Sequence, residues 1–301
     1  MPVSPTGSTH LPVSPTGSTH LPVSPTGSTR VAAVIGHPVR HSLSPALHNA
    51  AFVAGGLDWI YAAFDVAPGQ AAEAVQAMRT IGLAGLSVTM PHKADIVDAL
   101  DSVTPAAAAL GAVNTVVVDD DGRLVGHNTD GDGFLDSLAA AGVTVAGRRV
   151  ALLGAGGAAR AVADALGRAG AAAVIVVNRS PGPAEVCAAL AGATIGLVGR
   201  AADVADADLV VNATPIGMVD RSLPCDATLL RREQVVADLV YHPLDTALLV
   251  AARRAGATVV DGLGMLVHQA ARQQQLWTGV VPSVAVMRAA AMAELARRTA
   301  G

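Results

Sequence analysis

The chain has 301 residues, of which 51% are hydrophobic and 2% aromatic, and it carries a net charge of −4. That balance argues against a nucleic-acid partner, no apolar run approaches membrane-spanning length, and Cys187 and Cys225 show neither metal spacing nor a disulfide framework. With no secretory pattern at the start, the expectation is a cytoplasmic chain of one or two domains, its core built mainly from Ala, Val and Leu.

Residues 1–30 repeat Pro-Val-Ser-Pro-Thr-Gly-Ser-Thr three times at a period of ten. One Val per repeat cannot build a core, so a disordered extension is expected, read as a replicated leader rather than a docking tail. Order is expected from Val31–Ile35, an apolar strand closed by Gly36. In the following His37-Pro-Val-Arg-His41-Ser42-Leu-Ser44-Pro45, the Ser-Pro pair predicts a helix with Ser44 as N-cap, running to about Ala54. Two hydroxyls, Ser42 and Ser44, just before a helix N-terminus suit a small carboxylate, although a cap alone would also explain them. His37, His41 and His48 lack a Cys or carboxylate cluster, so no metal is expected.

Ile60–Val66 reads as a strand, Gly69–Thr80 as an amphipathic helix and Gly85–Thr89 as a short strand. A helix is predicted from about Lys93 to Leu100, which puts Lys93 where a strand ends and a helix begins. That is the ligand-binding edge of α/β sheets, and a place where the helix dipole disfavours a cation. A surface lysine remains the plainer reading of that one residue. Gly111–Val118 and Arg123–Gly126, joined by Asp119–Gly122, predict a hairpin. Asn114 and Asp130 are polar groups flanking its apolar strands. A helix over Asp132–Ala141 follows.

Val150-Ala-Leu-Leu-Gly154-Ala155-Gly156-Gly157-Ala158-Ala159 then reads as buried strand, glycine turn and helix start. Gly154 permits the turn, Gly156 lets a pyrophosphate approach the backbone, and Ala159 lets helix and strand pack. A helix to Leu166, Gly170 and a second strand, Ala171–Val177, complete a βαβ unit. An NAD site would place Asp or Glu at the end of that strand. Here stand Asn178-Arg179-Ser180, and an Arg fork with a Ser hydroxyl meets a 2′-phosphate, so the cofactor is read as NADP. Strands are further predicted at Leu209–Asn212, Val235–Leu239 and Thr258–Asp261, and helices at Met265–Trp277 and Ser283–Ala300. Arg253-Arg254 fit a helix C-terminus.

Taken together, these motifs resemble the shikimate dehydrogenase family. The residues that carry the likeness are Ser42-Leu-Ser44-Pro45 with His48-Asn49, Val88-Thr89-Met-Pro91-His-Lys93, Gly111-Ala-Val-Asn114-Thr and Asn128-Thr129-Asp130-Gly. It continues through the glycine turn, Asn178-Arg179-Ser180, Asn212-Ala-Thr214-Pro215-Ile-Gly217-Met218 and Gly262-Leu-Gly-Met265-Leu266-Val-His-Gln269. The resemblance implies NADP-dependent interconversion of shikimate and 3-dehydroshikimate. It implies Lys93 and Asp130 as the catalytic pair, Ser42 and Ser44 on the substrate carboxylate, and Thr89, Asn114 and Gln269 on its ring hydroxyls, with Tyr241 near the substrate. Gly154, Ala155, Gly156, Gly157, Ala158, Asn178, Arg179, Ser180 and Gly262 would hold the dinucleotide, with Thr214 and Met218 on the loop that covers the nicotinamide.

The implied fold is a two-domain α/β architecture. A substrate domain of residues 31–130, completed by helices within 264–301, would face a Rossmann-type NADP domain at 131–263 across a cleft. The partner is the small-molecule substrate, and the chain is expected as a monomer or homodimer. One departure stands out: the family usually has Asn where this chain has Ser87, so a quinate or aminoshikimate dehydrogenase of the same family is the alternative. A catalytically silent ligand sensor is the reading from another class, disfavoured because both Lys93 and Asp130 are present.

Overall fold

The computed structural model describes residues 25–193 and 195–300. Most of the repeat, residues 1–24, lies outside them. Its last residues do not fit the expected disorder. Residues 26–29 form a turn, with Ser28 and Thr29 hydroxyls donating to Asp58 at 3.0 and 2.7 Å, and Arg30 opens the first strand.

The first sheet is built from β1 (Arg30–Gly36), β2 (Trp59–Asp65), β3 (Gly85–Val88), β4 (Ser102–Val103), β5 (Thr115–Val118) and β6 (Leu124–His127), in the order β2-β1-β3-β5-β6-β4. β1 runs parallel to β2 and β3, while β5 turns back antiparallel to β3 and β6, as the hairpin signal requires. Helices α1 (Ser44–Ala54), α2 (Ala71–Ile81) and α3 (Pro105–Leu110) connect these strands.

The second sheet contains β7 (Arg149–Leu153), β8 (Ala173–Val177), β9 (Gly196–Val198), β10 (Leu209–Asn212), β11 (Val235–Asp238) and β12 (Thr258–Val260). Its order is β12-β11-β10-β7-β8-β9, and every pairing is parallel. This is the doubly wound nucleotide-binding order, with the strand order reversing at β7 and its glycine turn. The inner strands are near-continuous Val, Leu and Ala runs because helices cover both faces. Those helices include α5 (Gly157–Arg168), α6 (Pro181–Leu190) and α7 (Ala247–Arg254).

Three helices join the halves. α4 (Asp130–Ala140) packs on α5 on one side and on α8 (Gly262–Thr278) on the other. Both approaches need glycine: a Cβ on Gly131 would lie 2.4 Å from the Ala161 carbonyl oxygen, and one on Gly133 would lie 2.6 Å from the Gln269 nitrogen. α8 and α9 (Val284–Ala300) then return to α1, where Leu43, Leu47, Leu263, Val267, Met287 and Ala291 form one apolar cluster. Among the described residues, no helix is long and apolar enough to cross a membrane.

Two local expectations are corrected. Ser44 is not the N-cap of α1 but its first residue; Leu43 occupies the cap position, and the Ser44 N–H donates instead to Ser42 Oγ at 3.2 Å. No α-helix starts at Lys93. The segment is a run of turns ending in a 3₁₀ turn at Val97–Ala99. The Lys93 carbonyl accepts from Val113 N–H at 2.8 Å, and Val97 N–H bonds back to Ala94, so the helical ladder is broken at its first rung. α4, by contrast, begins two residues before expectation and takes in Asp130.

Candidate active site

Lys93 leaves the end of β3 on the turn just described, and Asp130 opens α4. Lys93 Nζ donates to Asp130 Oδ2 at 2.5 Å. Asn114 Nδ2 donates to the other carboxylate oxygen at 2.8 Å. Asn114 is itself held, because its Oδ1 accepts from Thr129 N–H at 2.9 Å and from the Thr115 hydroxyl at 2.7 Å. Asp130 N–H donates to Asn128 Oδ1 at 3.1 Å. The carboxylate thus sits in the first turn of a helix, where the dipole favours a negative charge, with both oxygens engaged. Its side chain is 10% exposed and that of Lys93 is 26% exposed, so the ammonium keeps N–H groups facing open space.

The pair lines a cavity of about 210 Å³. Ser42 and Ser44 stand on its wall at the start of α1, with Thr89 and Asn114 from the first sheet. Tyr241 and Gln269 line it from the side of β11 and α8. The structure therefore brings together every residue expected to bind substrate or act on it. The C-terminal helix helps fix the serine loop: the Arg298 guanidinium donates to the His41 and Ser42 carbonyls at 2.6 and 3.1 Å. The Gln269 amide is partly occupied, donating to Leu266 O at 2.9 Å. Burial raises the pKa of the Tyr241 phenol, leaving it protonated and able to donate.

From the residues expected at the dinucleotide, Ala158 and Gly262 also line this cavity, so the two halves share it. The others lie beside it along the edge where β7, β8 and β10 end. Gly154 has φ +104°, and a Cβ there would come within 2.9 Å of Thr214 Cγ2. Gly156 and Gly157 are different, since a Cβ on either would meet no atom within 4 Å. That open space over a helix N-terminus is what a pyrophosphate requires. At the end of β8, Asn178 Nδ2 donates to Ser180 O at 2.9 Å and fixes the turn carrying Arg179. No acidic residue lies between Val174 and Pro183 to repel a 2′-phosphate. Thr214 Oγ1 donates to Asn212 Oδ1 at 2.7 Å, and Met218 is exposed on the following loop. Gly262 opens α8 so tightly against Leu239 and Val240 that a Cβ would fall 2.5 Å from the Val240 carbonyl oxygen. The open space over Gly156 and Gly157 and the carboxylate-free end of β8 fit a dinucleotide that carries a 2′-phosphate.

Comparison with known proteins agrees with this geometry. Residues 34–116 match the shikimate dehydrogenase substrate-binding domain, and residues 262–292 match the shikimate 5′-dehydrogenase C-terminal domain. Residues 149–240 match a coenzyme F420-dependent NADP oxidoreductase model. The shikimate dehydrogenase (NADP(+)) of Moorella thermoacetica is 49% identical over 268 residues, covering 85% of this chain and 90% of that protein. The chain belongs to the shikimate dehydrogenase family. The corresponding protein of Symbiobacterium thermophilum is 50% identical over 279 residues, covering 88% of this chain and 95% of that one. Among solved structures, the shikimate 5-dehydrogenase of Thermus thermophilus, crystallised with NADP(H) and shikimate, superposes with a TM-score of 0.82 at 41% identity. That match covers 88% of this chain and 99% of the other.

Within this shikimate dehydrogenase framework, the structure gives a place to residues for which the sequence reading assigns no role in the site. Ser87, noted only as a departure from the family's usual Asn, is buried on the cavity wall. The Tyr61 hydroxyl donates to Ser87 Oγ at 2.6 Å, and Ser87 donates to Gln273 Oε1 at 2.8 Å. His48, named above in the family motif and weighed as a metal ligand but given no site role, is fully buried, stacks on Tyr61 at 4.3 Å and faces Gln274 Oε1 at 3.2 Å. Burial lowers its pKa to about 4. Among the described residues, no group of three or more His, Cys, Asp or Glu side chains is placed to hold a metal ion.

Proposed function

We propose that this chain is an NADP-dependent shikimate dehydrogenase, reversibly reducing 3-dehydroshikimate to shikimate in the cytoplasm as a monomer or homodimer. One observation carries the reading: the Lys93–Asp130 pair, 2.5 Å apart, opens into a cavity that Ala158 and Gly262 border from the dinucleotide side.

Bound NADPH supplies the hydride to the ketone carbon. As charge grows on the ketone oxygen, the Lys93 ammonium stabilises it and donates a proton. Asp130 orients the ammonium and carries the proton relay onward, while Asn114 holds the carboxylate in place. In the oxidative direction the pair receives the hydroxyl proton. Ser42 and Ser44 offer hydroxyls at the N-terminus of α1 to the substrate carboxylate, and Thr89, Asn114, Tyr241 and Gln269 surround the ring. Arg179, with Ser180 and Asn178, would hold the 2′-phosphate, and Thr214 and Met218 would hold the nicotinamide.

The short Ser87 side chain supports a second reading within the family, a preference for quinate or an amino-substituted ring. Steady-state rates for shikimate and quinate, each with NADP and NAD, separate the two. Shikimate with NADP is the expected best pair, and another best pair overturns the first reading.

A further inference from the structure

A buried file of hydrogen bonds runs from Tyr61 on β2 through Ser87 on β3 to Gln273 on α8, and its direction is set at its far end. The Asn114 backbone carbonyl can only accept, so Gln273 turns its Nε2 toward it, at 3.2 Å. That leaves Gln273 Oε1, also only an acceptor, 2.8 Å from Ser87 Oγ. The single Ser87 proton is therefore committed to Gln273. Tyr61 Oη, 2.6 Å from Ser87 Oγ, donates in turn, since Ser87 has no second proton to give. Burial raises the Tyr61 pKa, so the phenol retains the proton it donates. Tyr61 is anchored from the other side by Asn49, whose amide pairs with the Tyr61 backbone N–H and C=O at 2.8 and 2.9 Å.

Ser87 and Gln273 both line the cavity. What Ser87 shows a ligand is a lone pair without a proton. We infer that the β3 wall is an acceptor-only subsite, taking a ring hydroxyl or ring ammonium and turning away a carbonyl or carboxylate oxygen. The inference rests on the shikimate reading of the cavity and adds to it a filter on orientation. A substrate's carboxylate and reacting ketone carry only acceptor oxygens, so neither settles against Ser87. Both are left to the donors elsewhere in the cavity: the Ser42 and Ser44 hydroxyls and the Lys93 ammonium. Discrimination of this kind works by penalising the wrong pose as well as rewarding the right one. Tyr61 and Gln273 are positioning residues: Gln273 holds the Ser87 proton, and Tyr61 fills one of the two Ser87 lone pairs and so fixes where the other points.

The test uses shikimate analogues in which each of the two ring hydroxyls that are not oxidised is replaced in turn by an amine, hydrogen or fluorine. Dissociation constants and kcat/KM are measured on the full chain with NADP. At one of the two positions the amine binds within about tenfold of the hydroxyl, while hydrogen loses at least about tenfold and fluorine loses more than hydrogen, because a lone pair then faces a lone pair. Gln273→Met frees the Ser87 proton and brings fluorine to or above hydrogen at that position. Ser87→Ala makes fluorine and hydrogen equivalent, and it serves if the methionine variant does not fold. Tyr61→Phe raises KM for shikimate by about three- to tenfold with a smaller change in kcat. Fluorine equal to or better than hydrogen at both positions in the wild type overturns the inference, as does a fluorine penalty that survives in both Gln273→Met and Ser87→Ala. Failure of the wild type to turn over shikimate with NADP instead overturns the functional reading beneath it.

Discussion

Lys93 and Asp130 stand 37 positions apart in the chain and 2.5 Å apart in space, and a third residue, Asn114, holds the carboxylate from its other oxygen. From the proposed role of Asp130 in orienting the lysine and relaying the proton, Asp130→Asn is expected to lower kcat by ~10²-fold, the range of lost acid–base help. The amide fills nearly the same space but can accept on only one side, setting its NH₂ against either the Lys93 ammonium or the Asn114 amide, so a loss of about 1–3 kcal/mol in stability should accompany the loss of rate. Paired kinetics and thermal melts check this, and a wild-type kcat would remove Asp130 from the mechanism.

Arg179 is the cation expected to tell NADP from NAD. Arg179→Ala should raise KM for NADP by about 10- to 100-fold through loss of charge-assisted hydrogen bonds, while KM for NAD stays within about twofold. Cofactor titrations with both dinucleotides provide the measurement. Equal losses for the two would mean that Arg179 supports the loop rather than the phosphate.

Two glycines of one turn are expected to fail differently. Gly154→Ala forces a side chain into φ +104° and against Thr214, which should destabilise the fold by about 1–2 kcal/mol. Gly156 has an ordinary φ of −76° and open space above it. Gly156→Ala should therefore fold like the wild type yet bind NADP at least about tenfold more weakly, its methyl standing where the pyrophosphate approaches the backbone. Denaturant unfolding and cofactor binding on both variants separate the two effects.

His48 makes stability depend on pH. Its folded pKa is about 4, lowered by burial among Tyr61, Phe52 and Trp277 and partly restored by Gln274 and Gln273, against 6.5 when unfolded. Between those values the unfolded chain binds more protons, so stability rises with pH. This contribution is complete above about pH 6.5, is lost as pH falls toward 4 and levels off below. Its full size is about 3 kcal/mol. Melting temperatures of wild type and His48→Asn across that window should converge as pH falls, and parallel curves would contradict the assignment.

The periodic and punctuated parts of the fold are legible in the sequence. Val150–Gly157 announces strand and turn, and Asp119–Gly122 announces the hairpin. The turn at Lys93 is not legible, because the bond that breaks its helix comes from Val113, twenty residues away. α3 escapes notice although Thr104 caps it and Pro105 opens it, since its alanine run shows no amphipathic pattern. α6 resembles a loop because it begins Pro181-Gly-Pro183, yet prolines in a first turn remove only N–H groups that a helix leaves unpaired. In the site, residues with a chemical signature can be named from the sequence. Tyr61, Gln273 and Gln274 cannot, because each is unremarkable alone and its role exists only where β2, β3 and α8 meet.

The most direct test is the rate of shikimate oxidation with NADP by Lys93→Ala beside the wild type, with NADP affinity measured on both. An active wild type, a fall in kcat of ~10²-fold or more in the variant and unchanged cofactor binding are expected. A variant with near-wild-type turnover would contradict the proposed role of Lys93.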